Sequence, residues 1–454
     1  MLQRTLIGLA ALVALPAGAA PVHEFTLDNG LKLLVREDHR APVVVSQVWY
    51  KVGSSYEHNG ITGISHVLEH MMFKGTEKHA PGEFSRIIAA NGGRENAFTG
   101  RDYTAYFQQL EESRLEVSFR LEADRMRNLL LPKDELAKEV QVVMEERRLR
   151  TEDDPQSITY ERFNAAAFVT SPYRNPVIGW MQDLEQLRLE DLQHWYRRWY
   201  APNNATVVVV GNVDPDEVLA LARKHFGPLS AEAVQPPRRV VEVPQRGVRR
   251  IVVQAQARLP YLVMGYKAPV LTTAEREWEP YALEVLAGIL DGGDSARLPS
   301  EVVRAGVAAR AGAGYDANAR LETLFLLDAT PANGQGLDAV EQALNQQIRR
   351  LKQEPVGEQE LARVKAQVVA DDVYQRDSVF YQAMQIGMLE TVGLGWQRGE
   401  EYVERIRAVT AEQVQEVAKK YLQEDRLTVA VLDPQPMGAG ETPEAGGKGA
   451  HRVH

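Results

Sequence analysis

His66 and His70 stand four residues apart in GISHVLEHMMF, residues 63–73, with Glu69 beside the second histidine in a run that is otherwise almost wholly apolar. At about 100° per residue on a helix, His66, Glu69, His70 and Phe73 share an arc of roughly 100°, while Ile64, Val67, Leu68, Met71 and Met72 take the other side. Two imidazoles one turn apart can direct ring nitrogens at one ion about 2.0–2.1 Å away, and a catalytic zinc site asks in addition for a third protein ligand and one open position. The same pattern also describes hydrogen-bonded polar residues on an amphipathic helix, so the metal reading needs a ligand from elsewhere. Downstream, EVQVVMEE at residues 139–146 offers Glu139, Glu145 and Glu146. Glu139 and Glu146 are seven residues apart and share a helix face, although glutamates on a charged helix are usually solvated. Glu69, next to His70 and on the same face, is placed to accept a proton from a bound water.

The elements that must hold these residues can be read from periodicity. Strand-like alternation runs over 25–51 through Leu31, Leu33, Val35, Val43, Val45, Val48 and Tyr50, with Asp28-Asn29-Gly30 as a turn. Helical spacing begins near Gly63, a second strand-like stretch holds Asn96, Phe98, Tyr103, Tyr106 and Phe107, and a long helical region over 113–150 is interrupted at Pro132. The β-branched run 206–210 reads as a buried strand. Trp195, Tyr196, Trp199 and Tyr200 read as core residues of an amphipathic helix. Residues 231–250, rich in proline and charge, read as an interdomain linker, and the Gly-rich tail 434–454 as disordered. EDLQHWYRRWYAPNNATV at 190–207 aligns without a gap with EQVQEVAKKYLQEDRLTV at 412–429, which predicts two copies of one α/β unit.

Composition limits what these units serve. A chain of 454 residues is too long for one ordinary core, and 44% hydrophobic with 25% charged residues is a globular balance. The formal net charge of −10 argues against a nucleic-acid partner. Residues 1–20, with Arg4, an apolar stretch over 6–15 and Ala17-Gly18-Ala19, read as a secretory signal cleaved near Ala19 or Ala20. No later segment is expected to span a membrane. An exported chain without cysteine has no disulfides and depends on its core and on bound metal.

HVLEH, the flanking MMFKGT at 71–76, NGGRENAFTGRDYTAY at 91–106 and the paired-Glu helix together resemble the pitrilysin and insulinase family of inverted-motif zinc peptidases, in its two-domain form, over 25–433. The resemblance implies an α+β fold of two homologous domains, 21–230 and 251–433, each a mainly antiparallel sheet packed with helices, together forming half of a clamshell. It implies one zinc ion per chain, held by His66, His70 and Glu146, with Glu69 as the catalytic base and Glu139 supporting a histidine ligand. It implies an edge strand at Asn96-Ala97-Phe98 to which an extended peptide adds. Where processing peptidases of this family carry acidic positions that read a basic residue, this chain has Gln156 and Tyr160. The family's second half supplies an Arg and a Tyr over the zinc. Here Arg304 is present, Ala309 stands at the tyrosine position, and Tyr315 is the nearest substitute. The expectation is therefore a zinc endopeptidase, exported and periplasmic if the source is Gram-negative. It would pair with a homologous chain that lacks HxxEH, or otherwise with itself. The competing expectation is a noncatalytic scaffold or partner subunit.

Overall fold

Runs such as Val43-Val44-Val45 and Val207–Val210 form strands because β-branched side chains suit a pleated surface from which water is excluded. The computed structural model describes residues 20–238 and 240–436. The first sheet contains β1 (Val22–Thr26), β2 (Lys32–Glu37), β3 (Val43–Tyr50), β4 (Arg94–Thr99), β5 (Thr104–Glu111) and β6 (Ala205–Gly211), in the order β1-β2-β6-β3-β5-β4. The second contains β7 (Arg249–Gln256), β8 (Tyr261–Ala268), β9 (Ala308–Gly314), β10 (Thr323–Pro331) and β11 (Leu427–Gln435), in the order β7-β11-β8-β10-β9. Each sheet is antiparallel except for one parallel pair, β2 with β6 and β7 with β11.

The internal repeat is a repeat of structure. The helix Leu189–Trp199, the turn Pro202–Asn204 and β6 recur as the helix Ala411–Tyr421, the turn Glu424–Arg426 and β11, each start displaced by 222 residues. The copied strand occupies the same place in both sheets, between the parallel neighbour and the longest antiparallel run. All seven residues of β6 and all eight of β8 are buried, as strands covered on both faces must be.

That covering comes from an exchange of helices. One face of each sheet packs on its own half's helices, in two separate cores. The outer face of the first sheet is covered by the helix Val379–Thr391 from the second half, whose Ala383 and Ile386 meet Leu34, Val45, Trp49 and Val208. The outer face of the second sheet is covered by the helix Pro155–Ala167 from the first half, with Phe163 and Ala167 against Val263 and Ala430. A glycine admits an aromatic ring at each crossing. A Cβ on Gly387 would lie 2.1 Å from Trp49 Nε1, and one on Gly265 would lie 2.5 Å from Phe163 Cζ.

The segment read as a linker is less free than its composition suggests. β7 begins at Arg249, inside the expected 231–250, and Glu242 and Gln245 are buried. Glu242 accepts the amides of Val169, Thr170 and Ser171 at 2.8–2.9 Å and the Lys267 ammonium at 2.7 Å, so the connection is pinned to both halves. At the other end β11 continues through Pro434 and Gln435, two residues into the expected tail. Residues 437–454 of that tail, and the signal-like residues 1–19, lie outside the described residues. Among the described residues no helix is long and apolar enough to cross a membrane.

Burial alone would raise the pKa of Glu242, but Lys267 and the three amides outweigh it and hold the carboxyl down at about 2, against 4.5 for an ordinary glutamate. A depressed carboxylate contributes stability that is complete above pH 4.5 and lost as pH falls toward 2. Glu242→Gln, which leaves the buried Lys267 without its counter-ion, is expected to cost about 3 kcal/mol at neutral pH. The difference from wild type should shrink progressively below pH 4.5, read from urea midpoints across the range. An unchanged difference at acid pH would show that the ion pair does not carry the linkage.

Candidate metal centre

The helix Ile64–Met71 is placed before its polar face is used. Ile64, Val67, Leu68 and Met71 are fully buried beneath it. Its N-cap, Gly63, has φ +86° and lies against Gly179, also at φ +86°. A Cβ on Gly63 would sit 2.5 Å from the Ile178 carbonyl, and one on Gly179 would sit 2.4 Å from that of Thr62, so both positions require glycine for conformation and for space. The first-turn amides have no local cap. The Glu57 carboxylate supplies one, accepting Gly63 N–H at 2.7 Å and Ser65 N–H at 2.9 Å.

Opposite lies the helix Lys133–Arg147, seated by buried Leu136, Val140, Val143 and Met144. Glu146 Oε2 is 3.9 Å from His66 Nε2 and 3.6 Å from His70 Nε2, and one ligand atom from each of the three falls within 4.8 Å of the others. A tetrahedral ion with bonds of 2.0–2.1 Å separates its ligand atoms by about 3.3 Å, so the set fits zinc with little closure. Protonation agrees with this. Burial, helped by the charges of His70 and Arg150, drives the pKa of His66 down to about 3, which leaves a neutral imidazole with a lone pair to donate. His70 Nδ1 lies 3.2 Å from Glu139 Oε2, which turns Nε2 toward the site. Glu145 points away, 59% exposed and paired with Arg148 at 2.9 Å. The one-residue difference in helix phase therefore separates the two neighbours.

Glu69 lies on the same face, and Thr99 Oγ1 donates to its Oε2 at 2.6 Å. Burial raises the pKa of Glu69, with Thr99 opposing. Three positioning groups were not legible in the sequence. Thr99 holds Glu69, Lys74 Nζ holds Glu139 Oε1 at 2.6 Å, and Arg150 holds Glu146 Oε1 at 2.6 Å. Thr99 and Lys74 sit in the family-like segments, but nothing in their spacing says which carboxylate each meets.

The other expected site residues are distributed as follows. Asn96, Ala97 and Phe98 are on β4, the edge of the first sheet beside the histidine helix. The Ala97 N–H donates to Asn96 Oδ1 at 2.9 Å. The Phe98 ring turns away from the site, edge-on to Trp49 with centroids 5.4 Å apart. Arg304 lies elsewhere, exposed on the turn before β9, and Ala309 is exposed on β9 itself. The ring of Tyr315, the nearest substitute for the expected tyrosine, stacks on Phe325, and its hydroxyl donates to the Pro269 carbonyl. Trp195, Tyr196, Trp199 and Tyr200 belong to the first core.

Two substitutions test the ligand assignment. Glu139→Gln is expected to weaken zinc binding about 10- to 100-fold, because it loosens the orientation of His70 without removing a ligand. Glu145→Gln should leave stoichiometry and affinity unchanged, measured by competition with a chromophoric chelator. Loss of zinc from Glu145→Gln would exchange the roles of the two neighbours.

Residues 32–180 match the model of the family described as insulinase, peptidase family M16, and residues 186–368 match the model described as the peptidase M16 inactive domain. The second match begins before β6, so the boundary between the two models falls inside the first sheet. The chain is 34% identical over 387 residues to the zinc protease PqqE of Helicobacter pylori, covering 83% of this chain and 86% of that one. The crystal structure of a protease from Helicobacter pylori superimposes with a TM-score of 0.87 at 32% identity, over 92% of this chain and all of that one. The periplasmic protease PqqL from Escherichia coli shares the fold, with a TM-score of 0.77 at 19% identity, and this chain spans 48% of its length. With a sheet-and-helix half repeated twice and relatives of this coverage, the chain belongs to the M16 peptidase family.

Proposed function

We infer that this chain is a zinc-dependent endopeptidase that hydrolyses peptides or unfolded segments inside an enclosed chamber. One observation carries the reading: His66, His70 and Glu146 offer their ligand atoms to one point, and Glu69 is held on the same face by Thr99. A zinc ion held by those three residues supplies Lewis acidity for a peptide carbonyl and makes water a nucleophile near neutral pH. The remaining work falls to the chain's own groups. Glu69 takes the proton of the attacking water and passes it to the departing amine, and a carboxyl whose pKa is raised by burial suits both transfers. β4 lies at a sheet edge, where an extended peptide binds by main-chain hydrogen bonds with little regard to sequence.

The competing reading, a noncatalytic scaffold, takes support from the words "inactive domain" for the second model. All four residues of the centre lie in the span of the first model, and their convergence favours catalysis. Export is part of the proposal, on the strength of Arg4, the apolar stretch over 6–15 and Ala17-Gly18-Ala19. The periplasmic setting named for PqqL accords with it. The enclosing partner is proposed to be a homologous chain that lacks HxxEH and supplies an Arg and Tyr, because Ala309 brings no phenol and Tyr315 is spent in the core.

Glu69→Gln should retain one zinc per chain while peptide hydrolysis falls by about 10²- to 10⁴-fold. Undiminished hydrolysis would remove Glu69 from the mechanism. The purified chain alone is expected to cleave a mixed peptide library weakly, and to gain activity when its homologous partner is added. Strong cleavage by a homodimer would sink the partner proposal.

A further inference from the structure

Beside Glu146 the first half opens into a cavity of about 390 Å³. Its link to the centre is Arg150, which lines the cavity and pairs with Glu146 Oε1 at 2.6 Å. One side of the helix Pro155–Ala167, from Gln156 to Asn164, forms one wall, and Tyr261 of β8 contributes from the second half.

The charges of this wall do not cancel. Arg101, Arg150 and Arg174 line it, together with two carboxylates, Asp154 and Glu161. Both carboxylates are committed to the protein. Asp154 caps its helix, accepting the amides of Gln156 at 2.8 Å and Ser157 at 3.1 Å, and Glu161 is forked onto Arg147 at 2.7 and 3.0 Å. Arg101 lies over the Tyr173 ring, 5.1 Å from its centroid, and Arg174 donates to the Val169 carbonyl at 3.1 Å. Neither meets a carboxylate among the described residues. Two half-buried guanidiniums held by a ring and a carbonyl, in a chain of net charge −10, are oriented cations with donors to spare. An uncharged group adds a second requirement. Asn164 lines the same cavity at 6% exposure, and its buried Oδ1 has no partner among the described residues, which suits a main-chain N–H.

We propose that this cavity binds a carboxylate of the peptide through Arg101 and Arg174, with Arg150 at its inner edge and Asn164 accepting an adjacent peptide N–H, so that the enzyme selects acidic segments. The substrate role of that peptide rests on the peptidase reading above, whereas binding does not. Planar guanidiniums pair with carboxylates through two parallel hydrogen bonds, and a lysine entering the same space would meet three like charges. The carboxylate has two possible sources, a Glu or Asp side chain and the peptide C-terminus.

The test uses zinc-loaded Glu69→Gln protein and short fluorescein-labelled peptides, read by anisotropy. Amidated peptides carry Glu, Gln or Lys scanned along one neutral sequence, and a further peptide has no acidic side chain but a free C-terminal carboxylate. The Glu peptide is expected to bind at least about tenfold more tightly than the Gln peptide at one position of the scan, with the advantage shrinking in salt. Tighter binding of the free-acid peptide instead assigns the pocket to the C-terminus. Arg101→Glu and Arg174→Glu should each reverse the order in favour of Lys, which a merely structural role would not do. Equal affinities, a preference for Lys in the parent protein, or no binding of any peptide overturns the proposal. Cleavage of the same peptides by the wild-type chain with its partner separates the two readings. Acid-selective binding without cleavage would defeat the peptidase reading alone, and cleavage without acid preference would defeat the pocket alone.

Discussion

Everything at this centre depends on how closely the helix Ile64–Met71 approaches the helix Lys133–Arg147, because three ligand atoms within 4.8 Å leave little room for sliding or rotation. The approach is set at several levels. Apolar side chains of both helices enter one core, which fixes their separation. The contact of Gly63 with Gly179, and the reach of Glu57 to the first-turn amides, fix where the histidine helix begins. A helix whose origin is pinned has its phase pinned too, and phase decides that His66, Glu69 and His70 look outward together.

Around the site the problem is electrostatic. Glu69, Glu139 and Glu146 crowd a half-buried space, where like charges repel one another and oppose folding. Each is met by a different group: a hydroxyl from β4 for Glu69, an ammonium from Lys74 for Glu139, a guanidinium from Arg150 for Glu146. The assignments suit the separate tasks. Burial raises the pKa of Glu69 and the Thr99 hydroxyl only partly opposes it, while Lys74 and Arg150 hold the other two carboxylates in place, one as an orienting acceptor and one toward the histidines.

The exchange of helices between the halves answers a different constraint. A sheet with two apolar faces must be covered on both. Here neither half covers its outer face alone, so the helices Pro155–Ala167 and Val379–Thr391 cross over, and Gly265 and Gly387 leave space for the rings they meet. The crossing helix of the first half also begins at the cavity wall, so the packing that joins the halves and the surface beside the zinc ligands are built by one element.

Local periodicity carried a good deal of this in the amino-acid sequence. The arc shared by His66, Glu69 and His70, the break at Pro132, the seven-residue phase that joins Glu139 to Glu146, and the repeat at 190–207 and 412–429 all follow from helix and strand geometry within one or two elements. Other features were decided only by the tertiary structure: the Thr99, Lys74 and Arg150 partners, the Gly63–Gly179 contact, the pinned connection at Glu242, the burial of Tyr315, and the uncompensated arginines of the cavity. Many of these join residues far apart in the chain, and the others depend on which way a side chain faces once the core has closed. Periodicity tells which face of an element a residue occupies. Which other face it meets is set by packing, and packing is a property of the whole core.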